Sequence, residues 1–98
     1  MNSSLVRKNI TLGDRRTSLR LEREFWNALD DLCRREQLTV QTVCTAIEAH
    51  RTSASRTSAV RSFIMAYFRH ATHPQGDMDP ALARMLSTAR RENVGKHH

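Results

Sequence analysis

One short stretch, residues 15–21 (RRTSLRL), limits most strongly what this 98-residue chain can fold into. Its polar and apolar residues alternate, as they do in a β-strand with one buried face and one exposed face. Leu19 and Leu21 fall on the apolar face. The opposite face carries Arg16, Ser18 and Arg20. No other segment offers this strand a clear partner, and an unpaired strand edge is a template for a second chain. The pattern therefore predicts an antiparallel ribbon made by two copies of the chain.

The exposed face of such a ribbon would be strongly cationic, because each copy contributes two arginines and one serine. Arginine can donate two hydrogen bonds to O6 and N7 of guanine, and serine can donate to or accept from several bases. A DNA major groove is wide enough to admit a two-stranded ribbon. We therefore predict that Arg16, Ser18 and Arg20 read bases, with Arg20 the most central because it lies between the two apolar leucines.

The charge and composition of the chain agree with a polyanionic partner. Sixteen Lys and Arg residues against ten Asp and Glu residues give a net charge of +6. The excess is local, since residues 1–21 carry five basic residues and one acidic residue, whereas residues 22–36 carry three and five. With 39% hydrophobic and 5% aromatic residues, the chain is predicted to form one small domain with a thin core. A second copy would help to bury that core.

Amphipathic helices are predicted for most of the chain after the strand, because apolar residues recur there at helical spacing. The predicted ranges are 22–36, 39–49 and 57–70, followed by a short helix that starts at Asp79-Pro80. Thr39 and Asp79 are good N-caps for two of them. The strand and the first two helices supply the predicted core of the dimer, which comprises Leu19, Leu21, Phe25, Trp26, Leu29, Val43 and Ile47.

The chain divides into three predicted parts. Residues 1–14 are expected to form a flexible N-terminal arm, because Gly13-Asp14 interrupts the weak strand character before it. Residues 15–70 form the strand-and-helix domain. Residues 71–98 supply a linker, the short last helix and a flexible tail from Arg90.

The order of strand, helix, tight turn and helix resembles the ribbon-helix-helix (Arc/MetJ-like) DNA-binding proteins. Residues 16–22 (RTSLRLE), the Phe25-Trp26 pair and residues 58–63 (SAVRSF) are similar to a bacterial subgroup with an additional C-terminal helix. The resemblance implies a mainly α fold with additional C-terminal helices. In that fold one short strand per chain forms an intermolecular antiparallel ribbon, and the homodimer inserts the ribbon into the major groove.

The resemblance also implies that the N-terminus of the second helix anchors the DNA backbone, here at Thr39, Val40 and Gln41. Free N–H groups and the positive end of the helix dipole support an anion there, although Thr39 is equally well explained as an ordinary cap. Further phosphate contacts are predicted for Arg7, Lys8 and Arg15.

The sequence leaves two features of this layout undecided: the turn before the second helix, and which segment forms the second helix. The turn before Thr39 contains Gln37 where the family often has glycine, and a positive φ at Gln37 would cost on the order of 1 kcal/mol. Residues 55–61 (SRTSAVR) also resemble the opening of the family's second helix, so residues 57–70 are the alternative to residues 39–49 for that role.

The combined prediction is a sequence-specific transcriptional regulator of the repressor type, bound to double-stranded DNA at the nucleoid in the cytoplasm. It is expected to be a homodimer, with higher-order assembly on DNA left open. The alternative is an antitoxin or adaptor in which residues 77–92 hold a partner protein. That alternative rests on an apolar stripe, which consists of Leu82, Met85, Leu86 and Ala89.

Other classes of protein find little support in the sequence. No nucleophile–base pair, phosphate-binding loop or paired-carboxylate motif is present, so we predict no enzyme and no cofactor. His70 and His73 lack a third ligand nearby, so we predict no metal site. No apolar run is long enough for a membrane segment. Cys33 and Cys44 are predicted to be buried thiols in a reducing compartment.

Overall fold

The structure is a computed structural model that describes residues 4–95. Two strands precede the helices along the chain. The elements are β1 (Leu5–Leu12), β2 (Arg15–Glu22), α1 (Arg23–Glu36), α2 (Val40–His50), α3 (Arg56–Thr72) and α4 (Pro80–Gly95). This mainly helical architecture, with a two-stranded antiparallel sheet ahead of the helices, confirms the predicted fold class.

The structure corrects the expectation that no other segment of the chain pairs with the predicted strand, because β2 pairs with β1 of the same chain. The antiparallel register runs from Leu12 opposite Arg15 to Leu5 opposite Glu22. Gly13 and Asp14 form a two-residue turn in which Gly13 has a φ of 63°. A glycine with positive φ suits the first central position of a type II′ hairpin turn. A turn this short keeps the two strands close, so pairing within the chain has a low entropic cost.

The same turn corrects the prediction for the N-terminus. Residues 5–12 form a strand where a flexible arm was expected, because Gly13-Asp14 reverses the chain and does not merely interrupt it. Residues 1–3 of that predicted arm lie outside the described residues. At the other end, α4 continues to Gly95 through most of the predicted tail, whose residues 96–98 are also not described.

Two side chains on the helices fix the hairpin in place. The Trp26 indole N–H on α1 donates a hydrogen bond of 2.8 Å to the Val6 carbonyl of β1. The Thr45 hydroxyl on α2 accepts from the Gly13 N–H at 3.3 Å and donates to the Thr11 carbonyl at 3.5 Å. The open end of the hairpin is thereby attached to α1, and its turn is attached to α2.

The end of α1 settles the turn that the sequence left open, because Gln37 has φ 57° and ψ 46°. The Gln37 N–H donates to the Arg34 carbonyl at 3.3 Å, and the Leu38 N–H donates to the Cys33 carbonyl at 2.9 Å. These two bonds form a Schellman motif, which satisfies carbonyls at the helix end and requires a left-handed residue. Leu38 is buried and completes the motif with an apolar contact to the core.

Glycine at position 37 should therefore stabilise the protein. Gln37→Gly removes the clash of Cβ in the left-handed conformation, which costs about 1–2 kcal/mol, and adds chain entropy in the unfolded state. We expect a net rise of about 0.5–1 kcal/mol in the free energy of unfolding, measured by urea denaturation. Gln37→Val is the opposing control, because a β-branched residue tolerates a positive φ poorly and should lower stability. Equal stability of the two variants would contradict the strain at this position.

The residues predicted for the dimer core lie in the core of the single chain. Six of the seven are at most 4% exposed. These six are Leu19, Leu21, Trp26, Leu29, Val43 and Ile47. The seventh, Phe25, is half-buried against the same core. One copy of the chain thus already buries the apolar face of β2 and the apolar stripe of α1.

The third and fourth helices contribute further buried residues to this core. Ser55 caps α3 by accepting from the Ser58 N–H at 3.1 Å, so the helix begins at Arg56, one residue before the predicted range 57–70. Asp79 caps α4 as predicted, accepting from the Leu82 N–H at 3.1 Å. The apolar stripe of α4 is largely buried, with Leu82, Leu86 and Ala89 each at most 1% exposed.

Polar contacts tie these helices together. Glu48 on α2 accepts two hydrogen bonds from each of Arg51 and Arg56, at 2.9–3.1 Å. These guanidinium groups, chiefly that of Arg56, lower the pKa of Glu48 to about 2. Glu36 accepts from the Tyr67 hydroxyl at 2.6 Å and also pairs with Arg90. Burial and then the bond to Glu36 raise the pKa of Tyr67 to about 12.

The two cysteines are free and buried, as predicted. Burial raises the pKa of Cys33 and of Cys44 to about 12. Both thiols are therefore protonated at neutral pH and serve as small apolar side chains.

Candidate nucleic-acid interface

Both strands contribute to the outer face of the ribbon, which points away from the helices. Directly opposed residues of an antiparallel pair share a face, and alternate residues along each strand share it too. The outer face therefore carries Arg7, Asn9 and Thr11 from β1, and Arg16, Ser18 and Arg20 from β2. Five of these six are exposed or lie over an open depression of about 430 Å³, which is lined by Arg7, Asn9, Arg16, Thr17 and Ser18.

One cross-strand pair on this face places like charges together, because Arg7 lies directly opposite Arg20. Like charges at directly opposed positions destabilise a sheet, in contrast to opposite charges. An anion bound over this face would relieve the repulsion between Arg7 and Arg20.

The ribbon arginines differ from the arginines of the helical body in lacking acidic partners. Within residues 4–95, no carboxylate oxygen lies within 4.0 Å of the Arg7, Arg16 or Arg20 guanidinium. By contrast, Arg51 and Arg56 both pair with Glu48. The positive charge of the ribbon is therefore not neutralised by the protein itself.

The carboxylate at the open end of the ribbon is engaged elsewhere. Glu22 accepts hydrogen bonds of 2.9–3.1 Å from the Arg61 guanidinium on α3. The pKa of the Glu22 carboxyl lies below its ordinary value, because its own backbone N–H and then Arg61 stabilise the charged form. Arg61 in turn lies 5.7 Å from the centre of the Phe25 ring. Glu22 is thus drawn toward α3 and away from the ribbon arginines.

The N-terminus of α2 has the geometry expected of a phosphate anchor. Thr39 is the N-cap, as predicted, and its hydroxyl accepts from the Thr42 N–H at 3.0 Å. The first bond to a helix carbonyl is made by the Val43 N–H, which donates to Thr39 at 3.1 Å. The N–H groups of Val40 and Gln41 precede it and have no helical acceptor. Gln41 is exposed, whereas Val40 packs partly against the core.

Comparison with known families decides the class of this chain. A family model described as a ribbon-helix-helix domain matches residues 5–68. The chain belongs to the ribbon-helix-helix family. The match begins with β1 and ends within α3, so it includes the whole hairpin, while α4 lies beyond it. Neither the comparison with curated proteins nor the comparison with solved structures gave a match.

Membership of the ribbon-helix-helix family indicates the general class of function. Ribbon-helix-helix domains are in general the DNA-binding domains of regulators, and the family is generally non-enzymatic. Its members typically bind DNA as dimers. The matched residues include all of α2 and most of α3. α2 follows α1 after the three-residue turn 37–39, which is the helix-turn-helix layout.

The structure separates the predicted contact residues of the ribbon-helix-helix domain into two groups. Arg16, Ser18 and Arg20 share the outer face, and Arg7 joins them there. Lys8 lies on the opposite face, with its ammonium group 4.9 Å from the centre of the Trp26 ring. Arg15 follows the turn and lies opposite Leu12, also away from the outer face. Lys8 and Arg15 therefore do not share the surface that carries Arg16, Ser18 and Arg20.

Asn9 and Thr11 are outer-face residues that the sequence reasoning did not identify. The signal that could have found them is the two-residue Gly13-Asp14 turn, which fixes the register of both strands once it is recognised as a hairpin turn.

A metal site and a membrane-spanning segment find no support in the part of the chain that the structure describes. No group of three or more His, Cys, Asp or Glu side chains is placed to hold a metal ion. Among residues 4–95, no helix combines the length and the apolar character that crossing a lipid bilayer requires.

Proposed function

We propose that this protein is a sequence-specific DNA-binding transcriptional regulator of the repressor type, which places its β1–β2 ribbon in the major groove. The observation that carries the proposal is the outer face of the ribbon, where three arginines lack acidic partners within residues 4–95. Its predicted place at the nucleoid belongs to the same proposal.

The dimensions of the ribbon suit the groove. Paired strands lie about 4.8 Å apart, and the major groove is about 12 Å wide. Alternate residues of a strand are separated by about 6.8 Å, which equals two base-pair steps. Arg16, Ser18 and Arg20 can therefore reach successive portions of the site, with the arginines donating to guanine O6 and N7.

The ribbon and α2 would act together on DNA. Thr45 joins the hairpin turn to α2, so the N–H groups of Val40 and Gln41 keep a fixed relation to the ribbon. Phosphate contacts made by this helix end would set the register and depth of the ribbon, and the ribbon would supply the sequence preference.

A homodimer remains part of the proposal. Because β1 occupies only one edge of β2 in the two-stranded sheet, the other edge of β2 is available to pair with a second copy. Such a dimer would bind two neighbouring subsites, and further copies could bind along the DNA.

The alternative function, binding of a partner protein, was based on the apolar stripe of α4, and most of this stripe is buried. Leu82, Leu86 and Ala89 are buried within the chain that carries them. Binding a partner through residues 77–92 would first require α4 to leave α2.

Selection of bound DNA from a random pool tests the proposal. We expect an enriched sequence motif, and an affinity that falls linearly on a log–log plot as salt rises, with a slope of about −0.9 per neutralised phosphate. A helical module with no role on DNA would enrich no motif and show no affinity that depends on salt.

A charge at the N-terminus of α2 tests the phosphate anchor. Gln41→Glu places a carboxylate where a phosphate would bind, so affinity for all DNA sequences should fall alike, by about 1 kcal/mol or roughly fivefold. Titrations with the selected site and with random DNA measure the effect. Gln75→Glu in the exposed α3–α4 loop is the matched control and should cost much less. An unchanged affinity for DNA in Gln41→Glu would contradict the phosphate anchor and would show that Thr39 serves only as a helix cap.

A further inference from the structure

A polar depression and an apolar cavity adjoin each other between the helices, and we propose that together they bind a free α-amino acid with an apolar side chain. They lie between α3, the α3–α4 loop, the end of α2 and the start of α4. Their lining residues all fall between Ile47 and Met85, outside the ribbon. The proposal therefore goes beyond DNA binding and does not rest on it.

The polar depression carries ionisable side chains of both kinds. It has a volume of about 590 Å³. Arg69 and His70, in the last turn of α3, and His73, its C-cap, contribute hydrogen-bond donors. These three residues lie on neighbouring positions of the helix surface, because residues three and four apart are adjacent there. Asp77 and Asp79 contribute carboxylates from the α3–α4 loop.

The charged groups of the depression are not paired with one another. Within residues 4–95, no carboxylate oxygen lies within 4.0 Å of the Arg69 guanidinium, and no basic nitrogen lies that close to the carboxylate of Asp77 or Asp79. Asp79 uses Oδ2 to accept from the Leu82 N–H, which leaves Oδ1 for a ligand. A simple anion would be repelled by the carboxylates, and a simple cation by Arg69. A ligand with one group of each sign is therefore the best match.

The apolar cavity offers space for a side chain next to these charges. Ser62, Ala66 and Asp79 line both the depression and the cavity, so the two spaces meet there. The cavity has a volume of about 210 Å³. A dry apolar cavity of about 150 Å³ is enough to hold a benzene ring. A branched aliphatic or an aromatic side chain would therefore fit. The large apolar residues of its lining are Ile47, Phe63, Leu82 and Met85.

Two polar side chains at the edge of the apolar cavity are already engaged by the protein. Arg51 donates to both carboxylate oxygens of Glu48, at 2.9 and 3.0 Å. The His50 imidazole makes a hydrogen bond of 2.9 Å with the Thr88 hydroxyl. These groups therefore do not compete for the charged ends of a ligand, which are left to the polar depression.

The connectivity of an α-amino acid matches this arrangement. Its carboxylate, its ammonium group and its side chain all branch from one carbon atom. With that carbon at the junction of the two spaces, the ammonium group would pair with Asp79, and the carboxylate would accept hydrogen bonds from Arg69. The side chain would then enter the apolar cavity, where burial of apolar surface is favourable.

Nuclear magnetic resonance titration of the isotope-labelled full-length protein with L-leucine and L-phenylalanine tests the proposal. We expect at least one of them to bind at millimolar concentration or below, and to shift the amide signals of residues such as Ala66 and Asp79. Three analogues each lack one group of leucine: isocaproate the ammonium group, isoamylamine the carboxylate and glycine the side chain. Each should bind at least about tenfold more weakly, because a charge-assisted hydrogen bond or a buried aliphatic side chain contributes that much.

A matched pair of variants locates the carboxylate of the ligand. Arg69→Gln removes the guanidinium and should weaken leucine binding about tenfold, since a hydrogen bond to a charged group is lost. Arg84→Gln makes the same change at an exposed position of α4 that does not line the site, and should leave the affinity unchanged. Thermal unfolding without ligand confirms that both variants retain the fold.

The outcomes decide the proposal without reference to DNA. Shifts centred on the two spaces, with weaker leucine binding in Arg69→Gln but not in Arg84→Gln, would support it. If neither amino acid shifts these signals at millimolar concentration, the two spaces are ordinary solvated surface and the proposal fails. Equal affinities for leucine, isocaproate and isoamylamine would overturn it as well, because the charged groups would then play no part.

Discussion

Alanine in place of Trp26 should lower the free energy of unfolding by about 3–5 kcal/mol, the usual cost of removing a large aromatic side chain from a core. Trp26 is only 4% exposed, and its indole N–H also holds β1 through the Val6 carbonyl. The ring further lies beneath the Lys8 ammonium group. Loss of this one side chain therefore affects the core and the attachment of the ribbon together. Urea denaturation followed by circular dichroism gives the change in stability.

Trp26→Phe separates the two contributions. It keeps most of the buried aromatic surface but leaves the Val6 carbonyl without the indole donor, so a smaller loss of about 1–2 kcal/mol is expected. In hydrogen exchange, the β1 amides should lose protection in both variants. A loss below 1 kcal/mol in Trp26→Ala, with β1 still protected, would show that Trp26 does not hold the ribbon.

Removal of the Arg20 side chain should weaken binding to the selected DNA site by about 1–3 kcal/mol, or roughly 5- to 150-fold. Arg20 has no carboxylate partner within residues 4–95, so its donors are available to a guanine edge. Random DNA should lose much less affinity, because only one charge is removed. Titration of the purified variant against the selected site and a scrambled site measures both effects.

The stability of the Arg20→Ala variant provides an internal check. Arg20 faces Arg7 across the ribbon, so its removal relieves a repulsion and should leave the free energy of unfolding equal or a few tenths of a kcal/mol higher. Arg84→Ala, at an exposed position of α4, removes the same charge far from the ribbon and should affect neither stability nor discrimination. Equal losses for selected and scrambled DNA in Arg20→Ala would assign Arg20 to the phosphates and not to the bases.

The sequence predicted the features of this fold that depend on local pattern. The alternation in residues 15–21 gave the strand β2 and the correct face for each of its side chains. Thr39 was recognisable as an N-cap because threonine there can bond the N–H three residues on. The conformation of Gln37 was left open by the sequence, and the structure gives it a left-handed backbone.

The pairing of β1 with β2 was not predicted from the sequence, and the reason is physical. β1 does not alternate cleanly, because Arg7, Lys8 and Asn9 are three polar residues in a row. Lys8 occupies an inner-face position that an apolar residue would normally fill, and this exposed side chain places its ammonium group over the Trp26 ring. That contact joins residues 18 positions apart, so the strand pattern alone does not reveal it. Only the Gly13-Asp14 turn signals the hairpin locally.

Polar contacts between residues far apart in the chain could likewise not be predicted from the sequence. The pairing of Arg61 with Glu22 spans 39 positions, and the bond from Tyr67 to Glu36 spans 31. Such pairs depend on how α1 and α3 pack, which helical periodicity does not specify. The sequence pattern identified Arg16, Ser18 and Arg20 as candidate contact residues, and the fold added that no carboxylate within residues 4–95 pairs with the ribbon arginines.

The formation of the ribbon within one chain is tested most directly by nuclear magnetic resonance on a mixture of isotope-labelled and unlabelled protein. Filtered spectra distinguish contacts inside one chain from contacts between two chains. We predict Hα–Hα contacts between Asn9 and Ser18 in the within-chain spectrum, as expected for a non-hydrogen-bonded antiparallel pair. Contacts between the β2 strands of two chains, with none between Asn9 and Ser18 of the same chain, would contradict the account.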